Sequence, residues 1–191
     1  LEYEDPLNRR HHAQPIACPN CGPQLSIVTG EGTVVGECDE ALKLAGQFLQ
    51  DGKVLAVKGI GGFHLCCDAE NEQAVHTLRA RKNRPMRPLA VMSSSLEDVQ
   101  QYAEITEAEQ SLLKSVEAPI VVLTKKENSK LAKNVAPNMS TIGVMLPYSP
   151  LHELLLQVAG NRTLVMTSAN ISGLPIVYKN EECLQAMGDI A

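Results

Sequence analysis

From about residue 33 onward, short aliphatic segments of the strand type alternate with amphipathic segments of the helix type. Several strand-type segments are apolar on both faces, which is typical of a sheet covered by helices on both sides. The pattern therefore predicts an α/β fold in which helices flank a mixed, largely buried sheet. The predicted strands are 54–58, 63–67, 88–92, 119–124, 141–146 and 163–168, and the predicted helices are 39–51, 69–81, 95–102, 106–115, 149–158 and one capped by Asn180.

Local signals predict where several helices begin and end. Asp39 is placed as the N-cap of the first helix, and Gly52 ends that helix. Residues 106–109 (TEAE) have the capping-box pattern. Ser149 followed by Pro150 predicts an N-cap and then a proline at the first helical position.

Residues 1–32 differ from the rest of the chain, because four prolines interrupt their first 23 positions and no apolar period is sustained. Such a stretch needs an external cross-link, and Cys18 and Cys21 form a C-x-x-C pair that suits half of a four-ligand zinc site. The other ligands would come from His11, His12 or residues before Leu1. A redox pair and two unligated cysteines are the alternatives. We therefore expect a partial zinc-finger segment at 1–32 and a second, C-terminally truncated domain at 33–191.

Composition restricts the setting of the chain rather than its chemistry. The formal net charge of −5 gives no general reason to bind nucleic acid. The six cysteines have no disulfide-framework spacing, and no apolar run is long enough to span a bilayer. We expect a reducing cytoplasm and no membrane partner. Since the sequence starts at a leucine and stops inside a plausible segment, we expect a fragment of a longer protein.

Two polar segments are the main candidates for chemistry. Five of the seventeen basic residues lie between positions 79 and 87 without an acidic residue among them. In an extended, proline-braced loop, Lys82 and Arg84 would point the same way and could grip a phosphate, although a solvated basic loop has the same pattern. Ser168 and Asn170 follow a buried strand, where open α/β sheets commonly bind ligands, although an ordinary turn has the same composition.

Other candidates carry weaker signals. The turn at 59–62 (GIGG) fits neither common glycine-rich phosphate motif, but its glycines allow the backbone to approach a small ligand closely. Cys66 and Cys67 lie on an apolar strand and are expected in the core. His152 either lines a site or packs in the core.

Together these segments resemble the YrdC family, through K-x-R (Lys82, Arg84), S-x-N (Ser168, Asn170) and the glycine turn between two strands. That resemblance covers about residues 36–191 and implies a twisted sheet. The segments KGIGGFHLCCDA, NRPMRPLAVM, GVMLPYSPLH and MTSANISG, with the cysteine segment before them, resemble the HypF family of hydrogenase maturation carbamoyltransferases. The cysteine segment resembles the C-terminal half of that family's second zinc finger, whose missing C-x-x-C would lie just upstream of Leu1.

The resemblance implies a carbamoyltransferase whose YrdC-like part is an adenylate-forming ligase. Carbamate, released from carbamoyl phosphate, would react with ATP to give carbamoyl-AMP and pyrophosphate. The full-length enzyme would pass the carbamoyl group to HypE for cyanide ligands of [NiFe] hydrogenase. ATP, Mg²⁺ and, at the half-site of Cys18 and Cys21, Zn²⁺ are the implied cofactors. No general base is assigned, because carbamate is already an anion.

The implied site residues fall into two groups. Lys82 and Arg84 would stabilise charge in the reaction. Nucleotide or substrate would be bound by Lys58, Gly61, Gly62, Arg87, Pro147, Ser168 and Asn170.

Two other functions stay open from the sequence. One is a threonylcarbamoyl-AMP synthase-like enzyme of tRNA modification, which shares K-x-R and S-x-N and must also hold threonine. The other is a double-stranded RNA-binding module that uses the basic segment 79–87, whose binding would fall steeply with salt. The net acidic composition argues against nucleic acid as the main partner.

Overall fold

The structure, a computed structural model, describes residues 3–8, 11, 22–160, 162–170 and 174–191. The strands are β1 Ser26–Val28, β2 Val34–Glu37, β3 Leu55–Gly59, β4 Gly62–Asp68, β5 Val91–Met92, β6 Ala103–Glu104, β7 Val121–Lys125, β8 Thr141–Met145 and β9 Leu164–Ser168. The helices are α1 Cys38–Gln50, α2 Glu72–Lys82, α3 Leu96–Gln100, α4 Glu107–Leu113, α5 Pro150–Val158 and α6 Asn180–Met187, with a 3-10 turn at Lys133–Val135.

Seven strands form one mixed sheet in the order β3-β4-β9-β5-β8-β7-β6, while β1 and β2 form a separate antiparallel hairpin. Within the large sheet β5 and β8 are parallel, and the other neighbouring strands are antiparallel. Strand β9 lies between β4 and β5, so the last strand of the chain runs through the middle of the sheet. The predicted mixed sheet is confirmed.

Helices cover both faces of the sheet, as the doubly apolar strands indicate. On strand β4, Leu65 and Cys67 pack in one hydrophobic cluster, whereas Cys66 between them packs in the other. The first cluster includes side chains from α2, α3, α4 and α6, and the second includes side chains from α1 and α5. Burial raises the pKa of the Cys66 thiol to about 12, which agrees with the expected core position.

Several predicted element ends are confirmed. Thr106 forms the complete capping box of α4, and the Ser149 side chain accepts the His152 N–H at the start of α5. Gly52 follows α1 with a φ of +74°, a conformation that glycine adopts without strain.

Other local predictions are wrong. Asp39 lies within the first turn of α1, because Glu37 occupies the N-cap position without a side-chain bond. Asn180 is the first residue of α6 rather than its cap, and its side-chain oxygen accepts a bond from Lys58 instead. The predicted strand at 88–92 pairs only over Val91–Met92.

The hairpin of β1 and β2 joins the two predicted segments of the chain. Ser26 pairs with Glu37 and Ile27 with Gly36, so the hairpin spans the proposed boundary between residues 32 and 33. Cys18 and Cys21 lie outside the described residues. Within the described ranges, no helix is both long and apolar enough to cross a membrane.

Candidate functional site

The segment after α2 is shaped by the buried guanidinium of Arg79. Its Nη1 donates to the carbonyls of Arg84 at 2.8 Å and Arg87 at 3.0 Å, and its Nη2 donates to that of Val135 at 3.0 Å. Its Nε donates to the Asn134 carbonyl. A planar guanidinium with several fixed donors suits this arrangement. Arg79 therefore holds the K-x-R segment against the 3-10 turn, a role that its place in a basic cluster did not reveal.

Lys82 reaches from the end of α2 to the chain that follows β9. It is the last residue of the helix, and Asn83 then turns the chain with a φ of 50°, so the predicted extended loop does not begin at Lys82. The ammonium donates to the carbonyls of Ser168 at 2.5 Å and Asn170 at 2.8 Å, and to the Asn170 Oδ1 at 2.9 Å. The two polar motifs of the sequence therefore meet in space.

The environment of Lys82 disfavours its charged form. The residue is only 6% exposed. Burial, with a contribution from the nearby charge of Arg84, lowers the pKa of Lys82 to about 8. The ammonium is therefore held by oxygen atoms of the chain while it lacks most of its hydration.

Arg84 lies beside the same strand end. Its Nη2 donates to the Pro88 carbonyl at 2.8 Å, and its Nη1 approaches the Thr167 Oγ1 at 3.4 Å. Its buried Nε has no partner among the described residues. Burial, then the charge of Arg87, lowers the pKa of Arg84. Neither Lys82 nor Arg84 forms an ion pair with a carboxylate in the part of the chain that is described.

Hydrogen bonds within the S-x-N segment fix its orientation. The Ser168 hydroxyl donates to the Asn170 Oδ1 at 2.7 Å, and the Asn170 Nδ2 donates to the Leu174 carbonyl at 2.7 Å. The Asn170 amide oxygen thus accepts from both Ser168 and Lys82.

The glycine turn packs on the chain that follows the S-x-N segment. The Phe63 N–H donates to the Val177 carbonyl at 2.7 Å. A Cβ at Gly62 would lie 2.9 Å from the Ile176 side chain and 3.0 Å from the Val177 carbonyl oxygen, whereas one at Gly61 would meet nothing within 4 Å. At Gly62 the backbone therefore lies close to another segment of the same chain, and this packing is what requires glycine.

The remaining predicted site residues are less closely associated with this cluster. The ammonium of Lys58 donates to the Asn180 Oδ1 at 2.7 Å and borders a largely apolar cavity of about 450 Å³. Among the described residues, the lining of that cavity includes none of the K-x-R and S-x-N side chains. Arg87 has an exposed side chain, and Pro147 is half-buried just before α5.

A pair of histidines lies next to the cluster; the sequence left His152 either lining a site or packing in the core, and assigned no role to His64. His64 of β4 pairs in register with Ser168 of β9. His152 of α5 is 0% exposed, with its ring centroid 6.2 Å from that of His64 and 4.4 Å from that of Tyr148. Burial, then the nearby His64, lowers the pKa of His152 to about 4, and burial also lowers the pKa of His64. These rings belong to the segments FHLCC and PYSPLH, whose positions in the sequence do not show that the two rings lie close together.

No group of three or more His, Cys, Asp or Glu side chains suited to a metal ion occurs within the described ranges. The predicted zinc ligands Cys18 and Cys21 lie outside those ranges. The site that the structure describes is therefore a cationic and polar cluster.

Two family models match the chain. Residues 47–191 match the Sua5/YciO/YrdC family, described as "Telomere recombination", and residues 1–28 match the HypF finger.

Individual relatives and structures give the same result. The chain is 47% identical to the carbamoyltransferase HypF of Rhodobacter capsulatus, over 100% of the chain and 25% of that protein. It is 30% identical to the threonylcarbamoyl-AMP synthase of Vibrio parahaemolyticus, over 74% of the chain and 78% of that enzyme. A crystal structure of full-length HypF in the phosphate- and nucleotide-bound form matches 100% of the chain and 24% of its own length, with a TM-score of 0.85 and 44% identity. The chain thus spans about a quarter of the length of its HypF relatives.

Proposed function

The chain belongs to the Sua5/YciO/YrdC family as one of its HypF members, and from this we propose that it activates carbamate with ATP. In this reaction a carbamate oxygen attacks the α-phosphorus of ATP. The bond between that phosphorus and the bridging oxygen breaks, and carbamoyl-AMP and pyrophosphate form. No proton has to be removed, because carbamate attacks as an anion.

One observation carries the proposal: Lys82 and Arg84 are two cations at one strand end without a carboxylate partner among the described residues. Cations that are at least partly buried and have no counterion are costly, so such a site favours an anionic ligand. The α-, β- and γ-phosphates of ATP meet that need. Helix α2 and the hydrogen bonds from Arg79 hold Lys82 and Arg84 in place before the ligand binds.

The same cluster suggests a role for each polar side chain. Lys82 and Arg84 stabilise the charge that develops on the α-phosphate and on the leaving pyrophosphate. The Ser168 hydroxyl and the Asn170 amide, now bonded to each other, exchange those bonds for phosphate oxygens. Gly61, Gly62, Arg87, Pro147 and Lys58 stay proposed contacts of nucleotide or substrate.

Metal ions enter the proposal in two places. Since the described residues offer no carboxylate cluster, Mg²⁺ would be held by the nucleotide phosphates and reduce their charge. Zinc is proposed for Cys18 and Cys21, whose thiolates suit that metal and would need two further ligands.

The wider role is proposed for the full-length protein. Carbamoyl phosphate would supply carbamate, and HypE would accept the carbamoyl group in hydrogenase maturation, on the route to the cyanide ligands. The relatives named HypF support this role.

ATP–pyrophosphate exchange tests the activation step. We expect exchange when carbamoyl phosphate and an added acylphosphatase supply carbamate. Lys82→Ala and Arg84→Ala should each lower the rate about 100- to 1,000-fold, because each removes a preorganised donor. Lys130→Ala, in an exposed loop position, is the matched control and should exchange at the wild-type rate. A folded Lys82→Ala, Arg84→Ala double variant that exchanges normally would refute the assigned roles.

A second function is favoured by the 30% identity to a threonylcarbamoyl-AMP synthase. Exchange with threonine plus bicarbonate, and none with the carbamoyl source, would support that function instead. The RNA-binding alternative loses support, because Arg79 and Lys82 of the basic segment are buried and bonded within the chain.

A further inference from the structure

Next to the proposed phosphate site, two imidazole rings meet between strand β4 and helix α5. His64 lies directly across the sheet from Ser168, and His152 lies in the first turn of α5. Their ring centroids are 6.2 Å apart, and the planes are inclined at 80°. Side chains on directly opposite residues of an antiparallel pair lie about 5 Å apart at their Cβ atoms. The His64 ring is therefore a neighbour of the S-x-N segment.

Three of the four ring nitrogens lack a hydrogen-bond partner in the described part of the chain. Nδ1 and Nε2 of His152, and Nδ1 of His64, are buried and without a hydrogen bond in the described part of the chain. Buried polar groups in native proteins are nearly always bonded, and leaving one unmade is costly. Three such atoms in two rings whose centroids lie 6.2 Å apart therefore indicate a polar molecule that occupies this place during function.

Neighbouring residues fix where the two rings pack. A Cβ at Gly59 would lie 2.8 Å from Nδ1 of His64, so the glycine in the adjacent strand is needed where the ring packs. Tyr148 contacts the His152 ring edge-on at 4.4 Å and fixes its orientation. With no third His, Cys, Asp or Glu nearby among the described residues, the pair does not form a metal site.

We infer that His64 and His152 bind the acyl substrate, as a small planar carboxylate that carries an N–H donor. This inference rests on the proposed function, since the acyl oxygen must reach the α-phosphate held beside Ser168. Burial lowers the pKa of both rings, so they are uncharged near neutral pH. A neutral imidazole has one N–H donor and one acceptor nitrogen. The donor suits a carbamate oxygen, and the acceptor suits the carbamate amino group.

The pair consequently selects carbamate over carboxylates of the same size. Acetate has the shape of carbamate but a methyl group in place of the amino group, so it would leave an acceptor nitrogen unpaired. Sites built around such a hydrogen bond discriminate strongly against analogues that lack it. His64 and His152 are therefore specificity-determining residues, distinct from the cations that hold the phosphates.

The test measures ATP–pyrophosphate exchange against the concentration of ammonium carbamate, and separately of acetate. His64→Leu and His152→Leu preserve side-chain volume and remove the ring nitrogens. We expect the KM for carbamate to rise at least about tenfold and the preference for carbamate over acetate to fall by a similar factor, with the KM for ATP within about twofold of wild type. His76→Gln changes an exposed histidine of α2 and should leave all three quantities unchanged.

Thermal unfolding separates this role from a structural one. Since His152→Leu removes two buried unpaired nitrogens, its unfolding midpoint should rise; a histidine kept for packing would give a lower midpoint and an unchanged carbamate preference. If His152→Leu does not fold, His64→Leu, whose ring is half-buried, decides on the same kinetic criterion.

The outcomes are distinct. Unchanged KM and selectivity in the folded variants contradict the inference and leave the proposed function standing. Absence of exchange in the wild-type chain with every carbamoyl source overturns both.

Discussion

At the scale of single residues, the site depends on Lys82, whose surroundings make its ammonium group easier to deprotonate. The ammonium of Lys82 has three oxygen acceptors from the chain, yet burial and Arg84 lower its pKa to about 8. A phosphate needs this group protonated. In the proposed reaction, nucleotide binding would therefore depend on the fraction of molecules in which Lys82 carries its proton.

Nucleotide affinity should consequently weaken in mild alkali. Below pH 8 most unliganded molecules have a charged Lys82, whereas at pH 9 only about a tenth do, and apparent affinity scales with the competent fraction. We expect the Kd for a non-hydrolysable ATP analogue to rise about tenfold from pH 7 to pH 9, measured by calorimetry. Lys82→Ala should bind more weakly and with a nearly flat profile over this interval. Parallel profiles for the two chains would show that another group titrates.

How far single site residues can be predicted differs from one residue to the next. Lys82, Arg84, Ser168 and Asn170 were proposed from two short motifs, and the structure places them together. Arg79 looked like one more solvated charge, because the carbonyls that it binds come from two separate segments. A helical sequence pattern contains no information about such distant acceptors.

At the scale of elements, local signals predicted those ends that depend on adjacent residues. The capping box at Thr106 and the Ser149–Pro150 start of α5 need only their own turn. The hairpin of β1 and β2 was not predicted, because its strands are short and mostly exposed and give no clear alternation. Asn180 was misassigned because its partner, Lys58, is 122 positions away.

The glycine turn offers a matched pair of substitutions. Gly61 and Gly62 both have positive φ, at 91° and 156°, so an alanine at either is strained. Only at Gly62 would the new methyl also meet Ile176 and the Val177 carbonyl. We expect urea unfolding to show a loss of about 1 kcal/mol for Gly61→Ala and about 3 kcal/mol for Gly62→Ala.

The same pair should differ in nucleotide binding. Residues 174–177 would shift in Gly62→Ala, and the Leu174 carbonyl, which orients Asn170, would move with them. Affinity for the ATP analogue should therefore fall more in Gly62→Ala than in Gly61→Ala. Equal effects of the two substitutions would show that the turn does not support the S-x-N segment.

At the scale of the whole molecule, the order of the strands creates the site. Strand β9 is last in sequence but central in the sheet, between β4 and β5. This position brings Ser168 next to His64 on one side and within reach of Lys82 from α2. The segments of the sequence predicted the class of fold. Pairing between strands about 100 residues apart could not be predicted from periodicity. Alternation of apolar and polar residues shows which face of a strand is buried, but it does not show which strand is adjacent.

Because His152 is buried and neutral, the stability of the whole fold should decrease in acid. The pKa of His152 is about 4 in the folded chain against an ordinary value of 6.5, so between these pH values the unfolded chain binds a proton that the folded chain does not. Stability therefore falls as pH drops from 6.5 to 4, by up to about 3 kcal/mol from this group. Urea unfolding of wild type and His152→Leu across that interval should diverge by this amount in favour of the variant. His76→Gln, exposed on α2, should follow wild type throughout. If the free energies of unfolding of wild type and His152→Leu change in parallel with pH, the His152 ring accepts a proton without unfolding of the chain. Water would then already reach the ring between β4 and α5.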